Sequence, residues 1–493
     1  MKIGNRKSIC MGALTLSLAI PALTVGGPST AAEVNIPCRE DAAAGVLTIE
    51  CGTNSNTTGA LAAAYGNSSS AGGSSDGDTA IGTFSTAAGV GSDAAVAVGS
   101  FANATGGGAT AVGNDTVASG AGAVAFGGDD PVGGGTTATG VATTAVGAGA
   151  SATSENATAV GNIAAATGIS STALGSGGPG SRQTIAAGGF STALGTGNQT
   201  AAGATGATAV GDNNDANGSF STAVGAFNSA VGASSLAIGS TSDALGERSV
   251  AVGTAALGNG QDVLAIGTLA SASGTSSSAV GLNAVASADN AIAFGTGATA
   301  SGIGSTAIGR AATATGSTAT ALGDAASATH LNASAIGAGA TTSRNNQVVV
   351  GTATNTYTLA GVSSAASRAA QTGPVLFTTT DASGNLATSN FGPGDIATLD
   401  GRVTALEDVT TSLRRDVDKA YEGTAIALAM AGAVLPADKN FAVSINWGTF
   451  EGENGFAGTA AARLDENFSL HAGIGVGANE GTVGGRAGLT YAW

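Results

Sequence analysis

A small-apolar-Gly triplet returns every fourteen residues from Gly211 to Gly351, and this spacing leaves the chain few folds to choose from. The triplets run Ala209-Val210-Gly211, Ala223-Val224-Gly225, Ala237-Ile238-Gly239 and onward through Ala307-Ile308-Gly309 to Val349-Val350-Gly351. Upstream the same triplet ends at Gly82, Gly99, Gly113, Gly127, Gly147, Gly161, Gly175 and Gly195, with some wider gaps. A period this short implies a solenoid, because each unit can bury its apolar residues only against its neighbours. In residues 298–311 the alternation predicts two short strands, 298–301 and 305–308, with bends at Gly302 and Gly309 and Ile308-type residues inside. Two strands per coil make a flattened parallel β-roll. Nineteen such rungs, stacked at ~4.7 Å, give a rod on the order of 90 Å long. This head is assigned residues 79–352.

Composition agrees with a thin core. Gly supplies 82 of the 493 residues and aromatics only 4%, whereas a globular enzyme of this length fills two or three cores with large side chains. Gly does not fall at every third position, which excludes collagen, and the phased Val, Ile and Leu positions argue against disorder. A net charge of −16 with few lysines gives no surface for neutralising phosphates, so nucleic acid is not an expected partner. The two histidines, His330 and His471, lie far apart and offer little acid–base or metal chemistry near neutral pH.

The N-terminus reads as a secretory signal, residues 1–32. Lys2, Arg6 and Lys7 precede the apolar run 9–25, and small residues end at Ala31 and Ala32. Cys10 would leave with it. Cys38 and Cys51 remain, and in an oxidising compartment they are placed to close a short loop. Residues 33–78 read as an N-terminal segment, with a short strand in 42–50 and a Ser/Gly/Asn linker over 53–78. Gly127 to Gly147 and Gly175 to Gly195 each span twenty residues, so six extra residues bulge out near Asp129, Asp130 and Arg182. These are the candidate exposed loops of the head, as contact points or as tolerated length variation.

Residues 353–394 form a connector with a hairpin turning at 381–385. Over 395–421 the period becomes seven. Ile396, Val403, Thr410 and Val417 occupy a positions, and Leu399, Leu406, Leu413 and Ala420 occupy d positions, of a short coiled coil. Arg402 at g and Glu407 at the next e are placed for an interchain ion pair. Residues 422–493 then alternate at period two. Phe441, Val443, Ile445 and Trp447 share one face, as do Phe468, Leu470, Ile474 and Val476, and then Val483, Leu489, Tyr491 and Trp493. The opposite face is small or polar. Strands of about 9–11 residues, apolar outside with aromatics at the ends, fit a transmembrane β-barrel.

Four strands cannot close a barrel, and lipid tolerates no open edge. Two copies would give about eight strands and a lumen filled by side chains. Three copies give twelve strands and room for three helices over 421–433, so a trimer is favoured. The expected fold is mostly β: a repetitive parallel β-roll head, a short trimeric coiled-coil stalk, and a 12-stranded transmembrane β-barrel formed by three chains.

In these parts the chain resembles the YadA-like trimeric autotransporter adhesins. The resemblance lies in the AVG and AIG repeats, in Asn346-Gln347-Val348-Val349-Val350-Gly351 closing the head, and in the four-strand anchor. It also lies in Arg402-Val403-Thr404-Ala405-Leu406-Glu407, which fits the family's Arg-h-x-x-h-Glu trimerisation pattern. Two departures stand out: the family's Asn/Val/Ala-rich neck is replaced by the connector 371–391, and the stalk is very short. The resemblance implies Sec export, a homotrimer, insertion into outer-membrane lipid by barrel-assembly machinery, and a head displayed on a Gram-negative surface. It implies attachment to extracellular matrix, host cells, surfaces or like cells.

No catalytic, cofactor or metal site is expected. Gly73-Ser74-Ser75-Asp76-Gly77 matches a nucleophile elbow only as any Gly/Ser-rich tract does. Asp76 and Asp78 suggest a calcium-binding β-roll, but the nine-residue repeat is missing. Gly473, Gly475 and Gly477 read as room for luminal helices, with His471 and Arg486 facing inward. The function read from the sequence is attachment, with self-association in aggregation or biofilm as the alternative.

Overall fold

The computed structural model describes residues 38–41, 48–131, 134–177 and 181–493. The secretory signal 1–32 lies outside them, as do parts of the 42–50 strand and of the two inserted loops. The chain divides after Asn355 into two units.

The first unit is the roll. Each fourteen-residue rung is two seven-residue half-turns, shown by strands Thr306–Ile308 and Thr313–Ala314. Gly309 at φ +132° and Ala311 at φ 53° turn the first corner, and Thr318 at φ 55° turns the second. In the regular rungs each strand residue pairs in parallel with the one fourteen places on: Thr306 with Thr320, Ala307 with Ala321, Thr313 with Ser327. At Gly309 a Cβ would lie 2.2 Å from the Gly323 carbonyl oxygen, so the corner needs glycine for space as well as for its φ. Gly302 does stand in the second bend, where its carbonyl accepts the Ser305 N–H (3.0 Å) and a Cβ would lie 2.0 Å from the Gly316 carbonyl oxygen, while the positive φ of that bend falls on Gly304 at +64°.

The interior reverses one expectation. Ala307, Ala312, Ala314 and Ala319 are fully buried, whereas Ile308 points outward and is 38% exposed. Fourteen extended residues at about 3.3 Å each give a perimeter of roughly 46 Å, shared by two strands and two corners. What remains inside admits one small side chain per position, so alanine fills it and the branched residues are turned out.

The roll also starts earlier than expected. Strands Asn56–Thr57, Ala63–Tyr65 and Ser70–Ala71 continue the same two sheets, with Ile49 paired to Ala63, Ala63 to Thr79, and Ser70 to Thr86. Residues 53–78 are therefore rungs and no linker. Their Ser/Gly composition suits an interior that asks only for small groups, here Ala64, Ser69, Ala71 and Ser75. The first rung strand, Thr48–Cys51, is covered by Cys38–Asp41 running antiparallel to it, and Cys38 is disulfide-bonded to Cys51 directly opposite. The added strand blunts the open end of the sheet. Replacing both cysteines by serine should lower stability at this end by about 3 kcal/mol, the entropy of closing a loop of this size. Limited proteolysis near residue 48 with and without reductant measures it.

Between residues 192 and 254 one set of strands lengthens from three residues to five, as in Thr208–Asp212 and Thr222–Ala226. The cause is a buried amide ladder. Asn198, Asn214 and Asn228 occupy the corner position that Ala312 holds elsewhere. Ala312 N–H closes its turn on the Gly309 carbonyl, 3.3 Å away. Asn214 N–H instead donates to Asn198 Oδ1 (2.9 Å), and its Nδ2 donates to the carbonyls of Val210 (3.0 Å) and Gly225 (2.7 Å). Asn228 repeats this on Asn214 (3.0 and 2.8 Å), and Ser242 N–H ends the ladder on Asn228 Oδ1.

The second unit holds a short helix, Ala365–Ala369, and the hairpin Thr378–Thr380 with Leu386–Thr388, whose turn is built on Asp381 Oδ1 accepting from Ser383 and Asn385 N–H. One unbroken helix, Pro393–Ala429, replaces the two segments expected over 395–421 and 421–433. Asp395 Oδ2 accepts the Gly392 N–H at its start (2.7 Å). A four-stranded antiparallel sheet follows: Phe441–Phe450, Glu453–Arg463, Phe468–Gly477 and Val483–Tyr491.

Candidate functional site

The nucleophile elbow is dismantled by its surroundings. Ser75 Oγ donates to Asp78 Oδ1 (2.8 Å), and the same carboxylate accepts the N–H groups of Gly89 and Ala95. Asp78 is a fully buried staple where the next rung carries extra residues. Among the described residues no three His, Cys, Asp or Glu side chains gather as metal ligands.

What the head presents is periodic. The strand register stacks Val210, Val224, Ile238 and Val252 in one line, and Ile266, Val280, Phe294, Ile308, Leu322 and Ile336 continue it. The result is an apolar ridge along one sheet, with Phe294 56% and Leu322 43% exposed. The opposite sheet is mixed, turning out Thr299, Thr313 and Ser327 but also Val117, Ile185, Leu257 and Val285 in the same line. Ion pairs fourteen residues apart, Arg248 with Asp262 and Arg310 with Asp324, link neighbouring rungs on the surface. The Arg248 hydrogen bond, aided by its charge, holds the Asp262 carboxyl below its ordinary range.

The two insertions converge. Asn162 Nδ2 donates to Asp130 in the first, and Gln183 Nε2 of the second donates to the Ile163 carbonyl (2.6 Å). Arg182 pairs with Asp215 at 2.6 Å, and Asp129 stands exposed. Both loops thus lean on one corner of the roll.

On the long helix Ile396, Leu399, Val403, Leu406, Leu413 and Val417 are all exposed, Leu406 at 65%. Among the described residues no ion pair joins Arg402 to Glu407 within the chain.

In the anchor sheet the register pairs Trp447 with Phe456, Phe456 with Val476, Leu470 with Leu489, and Phe468 with Tyr491. One face is therefore apolar and exposed. It carries Phe441, Phe468, Tyr491 and Trp493 at one end and Trp447 and Phe456 at the other, an aromatic rim at each level. The other face takes the helix, and the sequence did not single out its key residue. Glu422 is fully buried, accepting N–H groups from Asn479 (2.6 Å), Glu480 (3.0 Å) and Thr482 (3.0 Å). One turn on, Ile426 lies where a Cβ at Gly455 or Gly475 would come within 2.5 Å of it. A further turn on, the Met430 carbonyl meets Arg486 Nη1 at 3.5 Å. The glycines expected to make room for a helix do so, and the sequence sets Glu422 apart only as the last charge before the uncharged stretch 423–437. His471 Nε2 meets Ser469 Oγ at 3.0 Å and, with Arg486 and Met430, lines a cavity of about 50 Å³.

The YadA-like membrane anchor domain matches residues 434–493. The YadA head domain repeat matches overlapping stretches within 93–129, 138–177, 202–228, 230–256 and 259–340. Together they cover more than half of the chain. No curated protein matches it. Among solved structures, the collagen-binding domain of the Yersinia adhesin YadA is 21% identical over 54% of this chain and 84% of that one, at a TM-score of 0.12, too low to carry an argument. The repeats and the anchor agree, and the chain belongs to the YadA-like trimeric autotransporter adhesins.

Proposed function

We propose that three chains, exported through Sec, close a 12-stranded barrel in the outer membrane with the help of barrel-assembly machinery, and that the barrel passes the heads outward to mediate attachment. The observation that carries this reading is the anchor sheet. It has four strands, two unpaired edges and one apolar face rimmed with aromatics, an arrangement tolerated in lipid only when further copies close it. The exposed a and d residues of the helix, Ile396 to Val417, support a short three-stranded stalk, with Arg402 of one chain meeting Glu407 of another. In the head, the ridge through Ile266, Ile308 and Leu322 is the face the copies share. The opposite, more mixed sheet and the Asp129 and Arg182 loops are left outward. Weak contacts repeated along three rods multiply into firm attachment by avidity, with no turnover.

The chain, displayed on non-adherent Gram-negative cells, is expected to confer attachment to matrix protein, host cells or plastic, and deletion of residues 48–352 to abolish it while a heat-resistant trimer remains. Clumping of the displaying cells, with no attachment to any other surface, would replace receptor binding by self-association. A monomeric anchor would remove the barrel.

A further inference from the structure

Glu422 and Asp78 are the two fully buried carboxylates among the described residues, and they serve different ends. Asp78 is tied inside a permanent fold. Glu422 joins two parts that move past each other if the head leaves through its own barrel, the reading on which this inference rests. Its three N–H donors belong to the turn between the last two anchor strands. That turn lies at the same end of the sheet as Phe450, which packs on Tyr421 (ring centroids 5.6 Å), so it is at the end where the helix leaves the anchor. The turn is itself fixed by Asn479 Nδ2 donating to Glu453 Oε2 (2.7 Å). Gly477 supplies the room, since a Cβ there would lie 1.8 Å from Glu422 Cδ.

The charge pattern along the chain gives this contact a direction. Residues 407–422 carry Glu407, Asp408, Arg414, Arg415, Asp416, Asp418, Lys419 and Glu422, whereas 423–437 carry no charge at all. For a chain drawn outward, Glu422 is the last charge to reach the turn. Any further slip would offer its N–H groups only Ala, Gly, Thr and other uncharged residues.

We propose that Glu422 is a latch that ends transit: its carboxylate captures the 479–482 N–H groups, fixes how far the chain emerges, and holds the helix as a closed plug. Asp416, exposed on another face, and Asp418, part-buried one turn before Glu422 on the same side of the helix, reach the turn earlier, and it is Glu422 that the 479–482 N–H groups hold.

The test uses full-length chains on Gram-negative cells, with Glu422→Gln and Gly477→Ala. The first removes the charge; the second leaves the charge and takes away its space. Displayed head is counted by antibody, and pore closure is read from uptake of a small zwitterionic cephalosporin hydrolysed in the periplasm. Both variants are expected to display the head at the unaltered level while uptake rises roughly tenfold, as an unlatched state goes from minor to dominant. Normal display with unaltered uptake in both would overturn the latch. So would loss of display in both, which would place Glu422 in barrel folding. If the unaltered chain shows no head outside the cell, the barrel reading fails instead.

Discussion

Leucine in place of Ala307 is expected to cost the head about 3 kcal/mol, at the upper end for overpacking a rigid core. The same leucine in place of Thr313 should change stability by no more than about 0.5 kcal/mol. Ala307 is fully buried between Ala293 and Ala321 in the same register line, while Thr313 stands on the outward side of the companion strand. Three added carbons at residue 307 have nowhere to go, because both neighbouring rungs hold their backbones at ladder distance and glycine corners bar a shift. Hydrogen exchange over residues 293–335 reads both effects locally. Were Ile308 the core residue and Ala307 the surface one, the first substitution would be silent, so the pair of variants decides which face of the strand is the inside.

The second large effect is expected at the amide ladder. Asn214→Asp replaces the Nδ2 amide, which now donates to the carbonyls of Val210 and Gly225, by an oxygen facing those oxygens in a fully buried corner. The charge there keeps the two Asn228 N–H donors on Oδ1 but has no cation beside it, and the cost near neutral pH is about 4 kcal/mol, in the range of uncompensated buried charge. The variant carboxyl should titrate above its unfolded value near pH 3.9. Its penalty is then smallest below about pH 4 and grows by up to roughly 1.4 kcal/mol per pH unit as pH rises, until the folded pKa is passed. Asn214→Ala should cost less, about 1–2 kcal/mol, because the corner can revert to the turn that Ala312 makes. Urea-dependent proteolysis of the head at pH 4 and pH 7 separates the two: only the aspartate should gain on acidification.

The sequence displayed its period openly and concealed its polarity. Alternation at period two states which residues share a face, so Ala307 and Ile308 were assigned to opposite sides correctly and to the wrong ones. Nothing in the pattern announces that the coil is too narrow for isoleucine. That follows only from counting the backbone needed for two strands and two corners. The early rungs were hidden for a related reason. Where the interior takes alanine or serine, Ser69 and Ser75 look like linker. In the anchor the faces read from the same alternation match the register of the sheet, because large exposed aromatics mark one side: Phe456 opposite Val476 and Phe468 opposite Tyr491. Glu422 was not legible, since its importance comes from a turn some sixty residues away in sequence.

The sameness of the rungs has a cost during folding. With alanine at nearly every inward position, a strand displaced by one whole rung finds an interior indistinguishable from its own, and a long ladder could settle into many offsets of similar energy. The places where the pattern is broken remove that ambiguity. Asn198, Asn214 and Asn228 satisfy one another only in consecutive order, Asp78 fits only beside Gly89 and Ala95, and the Asp130 and Gln183 loops meet only at residues 162 and 163. These irregular residues act as page numbers in a book of identical leaves, and they predict where the array can be lengthened or shortened without losing its place: among the uniform rungs beyond residue 263, and nowhere between 127 and 242.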